Sequence, residues 1–442
     1  MMRNSIARAA IFALIFTLLA TNLSSAAPLL PGSLDPNFGY FGYYVGPDNE
    51  TSPGPIALLP DGKILMAGSF RNSNMPNWDM IVARFGADGF PDLTFGKFGS
   101  MAFVDFGNND YGTALVVQPG GKIVVAGVTV AAAGSQLALA RFTADGSLDD
   151  TFGMAGKVVT DFGSSLQTAS DIGLDSTGEI IVAGEASDGF YLAKYGADGS
   201  PDAGFGTGGK ITTAFNGTIG TNVRMNILPG NKIFLVGTLK TTGSSNDQIS
   251  VAFARYSANG ALDTTFGTSG KASIPFTHND FFQLQITGDM AFQPNGKVLY
   301  AATQNTTLFL LRFNNNGTLD PAFGTGGVLT HTLSQGDITA GLTLQPDGKF
   351  ILVGETSGND AGNYYRRFLV MRFLPGGAFD PNFGTGGRVV TDFPYFLASA
   401  RTATILPNAQ ILVVGSAYDL YSQAGLARYF GDVKAYMPLV VK

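Results

Sequence analysis

The chain has 442 residues, of which only 14% are charged, with a formal net charge of −6 and no cysteine. Sparse, unclustered Lys and Arg argue against a groove that tracks nucleic-acid phosphates. The lack of Cys excludes a disulfide framework and any thiolate metal site.

At the N-terminus, Arg3 and Arg8 flank the start of an apolar run from Ala9 to Ala20, and Ser24-Ser25-Ala26-Ala27 follows. A basic start, a short apolar stretch and a small-x-small end describe a secretory signal peptide over 1–26, cut after Ala26. The run is shorter than the ~20 residues that cross a bilayer. The expectation is a secreted or extracytoplasmic cell-surface protein with no transmembrane segment after cleavage. Residues 27–33 read as a short linker.

A motif then begins at Leu34-Asp35-Pro36-Asn37-Phe38-Gly39. Its Phe returns at Phe95, Phe152, Phe205, Phe266, Phe323 and Phe383, at intervals of 53 to 61 residues. A recurrence of this size means copies of one small unit, none able to bury its apolar faces alone. Each copy holds a second landmark, first seen as Pro60-Asp61-Gly62-Lys63 before an apolar run. A third is first seen as Ala83-Arg84-Phe85-Gly86-Ala87-Asp88-Gly89.

Each unit reads as four strands, A to D, which in the third copy span roughly 157–162, 169–174, 179–184 and 190–195. Pairs such as Asp61-Gly62 between B and C predict tight hairpins whose two central residues tolerate positive φ. Strand C is apolar almost throughout, so it is covered on both faces. Sheets packed face to face around an axis meet that demand. The expected fold is all-β: a single seven-bladed β-propeller of four-stranded antiparallel blades in a closed ring. It spans 34–431, with blades at about 34–89, 91–146, 148–199, 201–260, 262–317, 319–377 and 379–431. An apolar tail, 432–442, follows.

A basic residue of strand D precedes the next motif Asp by eight positions in every copy. The pairs are Arg84/Asp92, Arg141/Asp149, Lys194/Asp202, Arg255/Asp263, Arg312/Asp320 and Arg372/Asp380. Asp35 and Arg428 are left over at the two ends, as halves of a seventh pair that only a closed ring brings together. Identical use in every copy favours a structural clamp between strand D and the next loop over a ring of binding groups.

These motifs, for example Gln345-Pro346-Asp347-Gly348-Lys349 with Leu319-Asp320-Pro321-Ala322-Phe323-Gly324, resemble the delta-60 repeat family. That is a bacterial β-propeller family of unknown function. The resemblance covers Leu34 to about Gly431. It implies the propeller fold and a secreted or surface setting, and it carries no catalytic residues.

Catalytic chemistry has few candidates. The two His, His278 and His331, lie in no metal-ligand spacing, and there is no nucleophile elbow or P-loop. Stretches such as Asp88-Gly89-Phe90-Pro91-Asp92 could suggest calcium loops. Asn259, Asn316 and Gly376 replace the first Asp in other copies; a turn accepts all three residue types, whereas a metal site would not accept Gly. No metal and no cofactor is expected.

The A–B and C–D loops emerge on one face and vary in length, which is where binding usually lives. Their large aromatics are Trp78 in copy one, Tyr364 and Tyr365 in copy six, and Tyr395, Tyr418 and Tyr421 in copy seven. In a closed ring these copies are neighbours across the seam. Exposed aromatics suit sugar rings or extended peptides, although they also pack within their own loops. The expected function is a non-catalytic, monomeric binding or interaction module for a glycan or protein ligand. The alternative is a secreted propeller hydrolase or lyase acting on a glycan or lactone through Asp or Glu near the axis.

Overall fold

In the computed structural model, seven antiparallel sheets stand around one axis, and strand B of each sheet contacts strand B of its neighbours. The structure describes residues 30–432 apart from 47–49, 72–74, 98, 133, 164–165, 188, 220–222, 242–247, 276–286, 361, 394–396 and 420–421. Residues 1–29, which include the expected signal peptide, and residues 433–442 of the tail lie outside the described residues.

Blade 1 is Glu50–Leu58, Ile64–Arg71, Asp79–Phe85 and Met101–Val104, paired in that order. Blades 2 to 6 repeat the order over 109–160, 166–214, 218–275, 287–332 and 337–391. In blade 4 the inner strand is broken into Thr218–Ile219 and Arg224–Leu228, both paired with Lys232–Thr241. Blade 7 takes Leu397–Ile405, Ile411–Tyr418 and Ser422–Tyr429 from the end of the chain and Tyr43–Val45 from its start. The fold is a closed seven-bladed β-propeller. Among the described residues no helix is long and apolar enough to cross a membrane.

The phase of the blades differs from the expected one. A sheet holds strands B, C and D of one repeat and strand A of the next, so Lys157–Thr160 pairs with Gly134–Phe142 of the preceding repeat. The short turn after each motif Phe folds strand A back onto the strand D it has just left. In the seam copy, Phe38 N–H donates to Asp35 O and Gly42 N–H to Phe38 O.

Residues 31–33 are part of blade 7 rather than a linker. Gly32 N–H donates to Phe430 O at 2.7 Å, and Phe430 N–H donates to Ser33 O at 2.9 Å. Pro31-Gly32-Ser33-Leu34 thus takes the place that Asp145-Gly146-Ser147-Leu148 holds in blade 2. Both glycines need positive φ, and a Cβ on either would meet the amide of a motif glycine, Gly384 or Gly96, within 2.8 Å.

The Asp-Gly and Asn-Gly B–C turns differ from expectation: only the glycine has positive φ, as with Gly62 at +83° and Asp61 outside that region. Gly120-Gly121 and Gly230-Asn231 have positive φ at both positions, as expected. Gly62 N–H donates to Leu59 O and Leu59 N–H to Lys63 O, a type I turn followed by a left-handed glycine. Pro60 presets the first turn angle, and Asp61 Oδ1 accepts the Lys63 amide.

Seven hydrophobic clusters fill the seven interfaces between adjacent blades. One motif Phe plugs each interface, from Phe38 between blades 7 and 1 to Phe383 between blades 6 and 7. All seven are at most 1% exposed. The period of the sequence is therefore the period of these plugs.

Candidate ligand-binding face

The repeated ionic residues come together below each plug. Strand D Arg Nε meets the motif Asp Oδ2 at 2.8 Å for Arg84/Asp92 and Arg141/Asp149, and at 2.9 Å for Arg255/Asp263 and Arg372/Asp380. The separation is 2.6 Å for Arg312/Asp320 and 2.8 Å for Arg428/Asp35. The same guanidinium stacks on the motif Phe, as Arg428 does on Phe38 at 4.7 Å. It also reaches a main-chain carbonyl of the next blade: Arg84 to Ala144, Arg141 to Ala197 and Arg428 to Ala87. One side chain thus holds strand, turn, plug and neighbour.

Sequence reasoning missed a third member of this clamp. The Lys that ends each Pro-Asp-Gly-Lys turn bonds the same carboxylate: Lys122 to Asp149 at 2.8 Å, Lys232 to Asp263 at 2.8 Å and Lys297 to Asp320 at 2.7 Å. In blade 7, Gln410 stands there and donates to Asp35 Oδ2 at 2.7 Å. In blade 3 the charges exchange. Glu179 replaces the Lys, and Lys194 bonds Glu179 at 2.6 Å and Asp175 at 3.1 Å, leaving Asp202 at 3.5 Å. Hydrogen bonds from Thr94 and Lys63 hold the Asp92 carboxyl well below the usual range, and those from Lys297 and Arg312 lower Asp320 to about 2.

The carboxylates of the inner wall are engaged too. Asp171 of blade 3 accepts the Met225 amide at 2.9 Å. Arg224 of blade 4 donates to Asp289 of blade 5 at 2.8 Å, and Asp289 accepts the Leu342 amide of blade 6 at 2.9 Å. Fully buried Glu185 accepts from Ser170 Oγ. His331 bonds Gly377 O at 2.7 Å and packs against Phe373 and Phe379, a contact between blades. His278 lies outside the described residues.

Of the candidate aromatics, Trp78, Tyr364, Tyr365 and Tyr418 sit at C–D hairpins, on one face. The blade 6 hairpin, Phe350–Asp360 and Asn363–Phe373, is the longest. Tyr364 near its tip is 50% exposed, and its OH accepts from Arg366 Nη2 at 3.5 Å. Arg367 lies over the Tyr365 ring at 4.3 Å. In blade 7, burial pushes the Tyr418 phenol up, but hydrogen bonding with Ser416 and Arg401 outweighs it and leaves it lowered. Arg366 feels the Tyr418 phenol, so blades 6 and 7 share this sector. Tyr395 and Tyr421 lie outside the described residues.

Trp78 turns toward blade 2 instead. Its ring is 6.4 Å from Tyr111 and 5.1 Å from the Arg71 guanidinium, and its carbonyl accepts the Asp110 amide at 2.7 Å. Beside it lie three carboxylates that sequence reasoning did not single out. One oxygen from each of Asp79, Asp105 and Asp110 lies within 4.8 Å of the others. Burial, with the charges of Asp105 and Asp110, pushes Asp79 up to about 6, while Lys157 opposes the shift.

Six segments, 59–95, 118–152, 176–205, 229–266, 293–323 and 345–383, match the family described as "Domain of unknown function (DUF5122) beta-propeller". The chain carries the repeats of a β-propeller family of unknown function. No curated protein matches it. Among solved structures it is similar to the polysaccharide lyase Uly1, with TM-score 0.50 at 10% identity, covering 93% of this chain and 94% of that one. It is also similar to the α-L-arabinofuranosidase Arb93A from Fusarium graminearum, with TM-score 0.43, 10% identity and coverage of 88% and 98%. A third is Drosophila Plexin A in complex with Semaphorin 1b, with TM-score 0.43, 9% identity and coverage of 90% and 87%. At these identities the likeness is one of fold alone.

Proposed function

We propose that this propeller is a secreted or cell-surface binding module of the delta-60 repeat type, without catalytic activity. It takes a glycan or protein ligand on the face that carries the C–D hairpins. The observation that carries this reading is the contrast between the two faces. On one, six of the seven motif carboxylates are held by the strand D Arg in a clamp. On the other, hairpins of unequal length present unrepeated aromatics, with Tyr364 half exposed at the tip of the longest. Aromatic faces with polar edges suit sugar rings and extended peptides.

The reading is tested on a glycan and peptide array with the protein freed of residues 1–26. Tyr364→Ala should weaken the strongest signal by ~2 kcal/mol, the loss of an aromatic anchor, with the melting temperature unchanged. Full binding by Tyr364→Ala, Tyr418→Ala and Trp78→Ala alike rejects this face. Release of reducing ends from an array glycan favours the hydrolase or lyase reading instead.

A further inference from the structure

The crevice between blades 1 and 2 holds acids that the repeat does not require. Asp79 pairs with Phe70 at the start of strand D. By register, the same position holds Gln136, Gly189, Ser250, Thr307, Arg367 and Gln423 in the other blades. Asp79 is the only carboxylate there. Asp105 follows the outer strand of blade 1, and Asp110 lies in the inner strand of blade 2.

Asp110 supplies a second, independent observation. Its side chain is 0% exposed, and its Oδ2 accepts the Phe106 amide at 2.7 Å. Its Oδ1 is buried, and among the described residues it has no well-aligned donor: the hydroxyl of its cross-strand neighbour Thr129 helps to lower the carboxyl but makes no hydrogen bond of good geometry. Blade 6 shows how the fold satisfies this position elsewhere. Asp337 is the counterpart, opposite Thr356 in the same register. Its Oδ2 accepts the Ser334 amide, and its Oδ1 takes Arg388 Nη2 at 2.6 Å. The residue equivalent to Arg388 in blade 2 is Lys157, whose ammonium bonds the Asp105 carbonyl at 2.6 Å and lies over Phe106. A buried carboxylate oxygen without a well-aligned donor is costly. Here two more carboxylates converge on the same carboxylate, where blade 6 brings a cation.

We propose that Asp79, Asp105 and Asp110 form a binding site for a hard divalent cation of the calcium type. Oxygen ligands from carboxylates, completed by carbonyls and water, are what such an ion takes. An ion there supplies the positive charge that Arg388 supplies in blade 6. It outweighs the single facing ammonium, Lys157, against three carboxylates. The site stands apart from the clamps and does not depend on the binding reading above.

Trp78 makes the test direct. It is the only Trp in the chain, adjoins Asp79 and is hydrogen-bonded to Asp110 through its carbonyl. The chelator-treated protein is titrated with terbium while exciting tryptophan. Sensitised emission should rise to one ion per chain, and calcium should displace it. Asp79→Asn and Asp110→Asn should each weaken binding about tenfold or more. Calcium should also raise the melting temperature of the unaltered protein, a readout that needs no variant. Absence of sensitised emission at millimolar terbium overturns the proposal. So does emission that survives in both variants.

Discussion

Arg428 Nε donates to Asp35 Oδ2 at 2.8 Å, so the last strand of the ring is bonded to the first turn of the chain. Gln410 shares that oxygen at 2.7 Å. The side chains are 12% and 4% exposed, so the pair is shielded from solvent. Asp35→Ala leaves the guanidinium buried without its carboxylate, a change that costs on the order of 3–5 kcal/mol. Urea unfolding should show that loss. Limited proteolysis should then cut within 30–46 in the variant and spare the parent.

The exchanged charges of blade 3 predict a rescue. Glu179→Lys alone places an ammonium against Lys194 and removes its closest partner, at 2.6 Å. The loss should be about 1–3 kcal/mol. Adding Lys194→Arg rebuilds the Lys, Arg and Asp arrangement of blades 1 and 2, with Asp202 at its centre. The double variant should recover most of the loss in chemical unfolding. A double variant as weak as the two single changes combined contradicts the clamp as described.

Stability should respond to pH with two opposite signs. The clamp carboxyls Asp92, Asp149 and Asp263 are held below their usual range, and Asp320 sits at about 2. A lowered folded pKa means stability that is full above the unfolded value of about 4 and is lost as pH falls through the folded value. Acid should therefore unfold the protein progressively below about pH 4. Asp79, raised to about 6, acts the other way: its ionised form destabilises the fold above that pH. In the absence of divalent ions, Asp79→Asn should raise the melting temperature most at about pH 8 and progressively less as pH falls from about 6 toward about 4.

Phe41 is 61% exposed and held at φ +59°, where the equivalent residues of blades 3, 5 and 6 are Gly208, Gly326 and Gly386. Left-handed backbone is strained for a bulky side chain. Phe41→Gly should stabilise the seam by up to ~1 kcal/mol, read as a higher melting temperature. A lower melting temperature shows that the ring contributes contacts worth more than the strain.

The fold was legible because the plug residues keep their period: Phe38, Phe95 and Phe152 mark interfaces directly. The blade phase was not, since strands A to D succeed one another equally well in either grouping. The deciding feature is the turn after the plug, written as Gly324-Thr325-Gly326-Gly327, whose left-handed glycines fold strand A back. The clamp was half legible. Arg and Asp are eight residues apart, but Lys63 meets Asp92 only through strand pairing. The acidic crevice was not legible, because Asp79 and Asp110 come from strands of two blades and Asp105 from the connection between them. Only the register shows that Asp79 breaks the repeat. Of the aromatic set, Tyr364 and Tyr418 share a sector through Arg366, while Trp78 faces Tyr111 because the blade 1 hairpin leans on blade 2.

Closure of the ring by the first strand is tested most directly by a covalent trap. Tyr44 lies opposite Leu426 across the seam, and the chain has no cysteine of its own. The double variant Tyr44→Cys with Leu426→Cys should oxidise to one intramolecular disulfide, since directly paired strand residues bring their Cβ atoms within bonding reach. A non-reducing gel should show a monomer of altered mobility, and mass spectrometry should link the two peptides. Two free thiols under oxidising conditions, or links only between chains, contradict the closed ring.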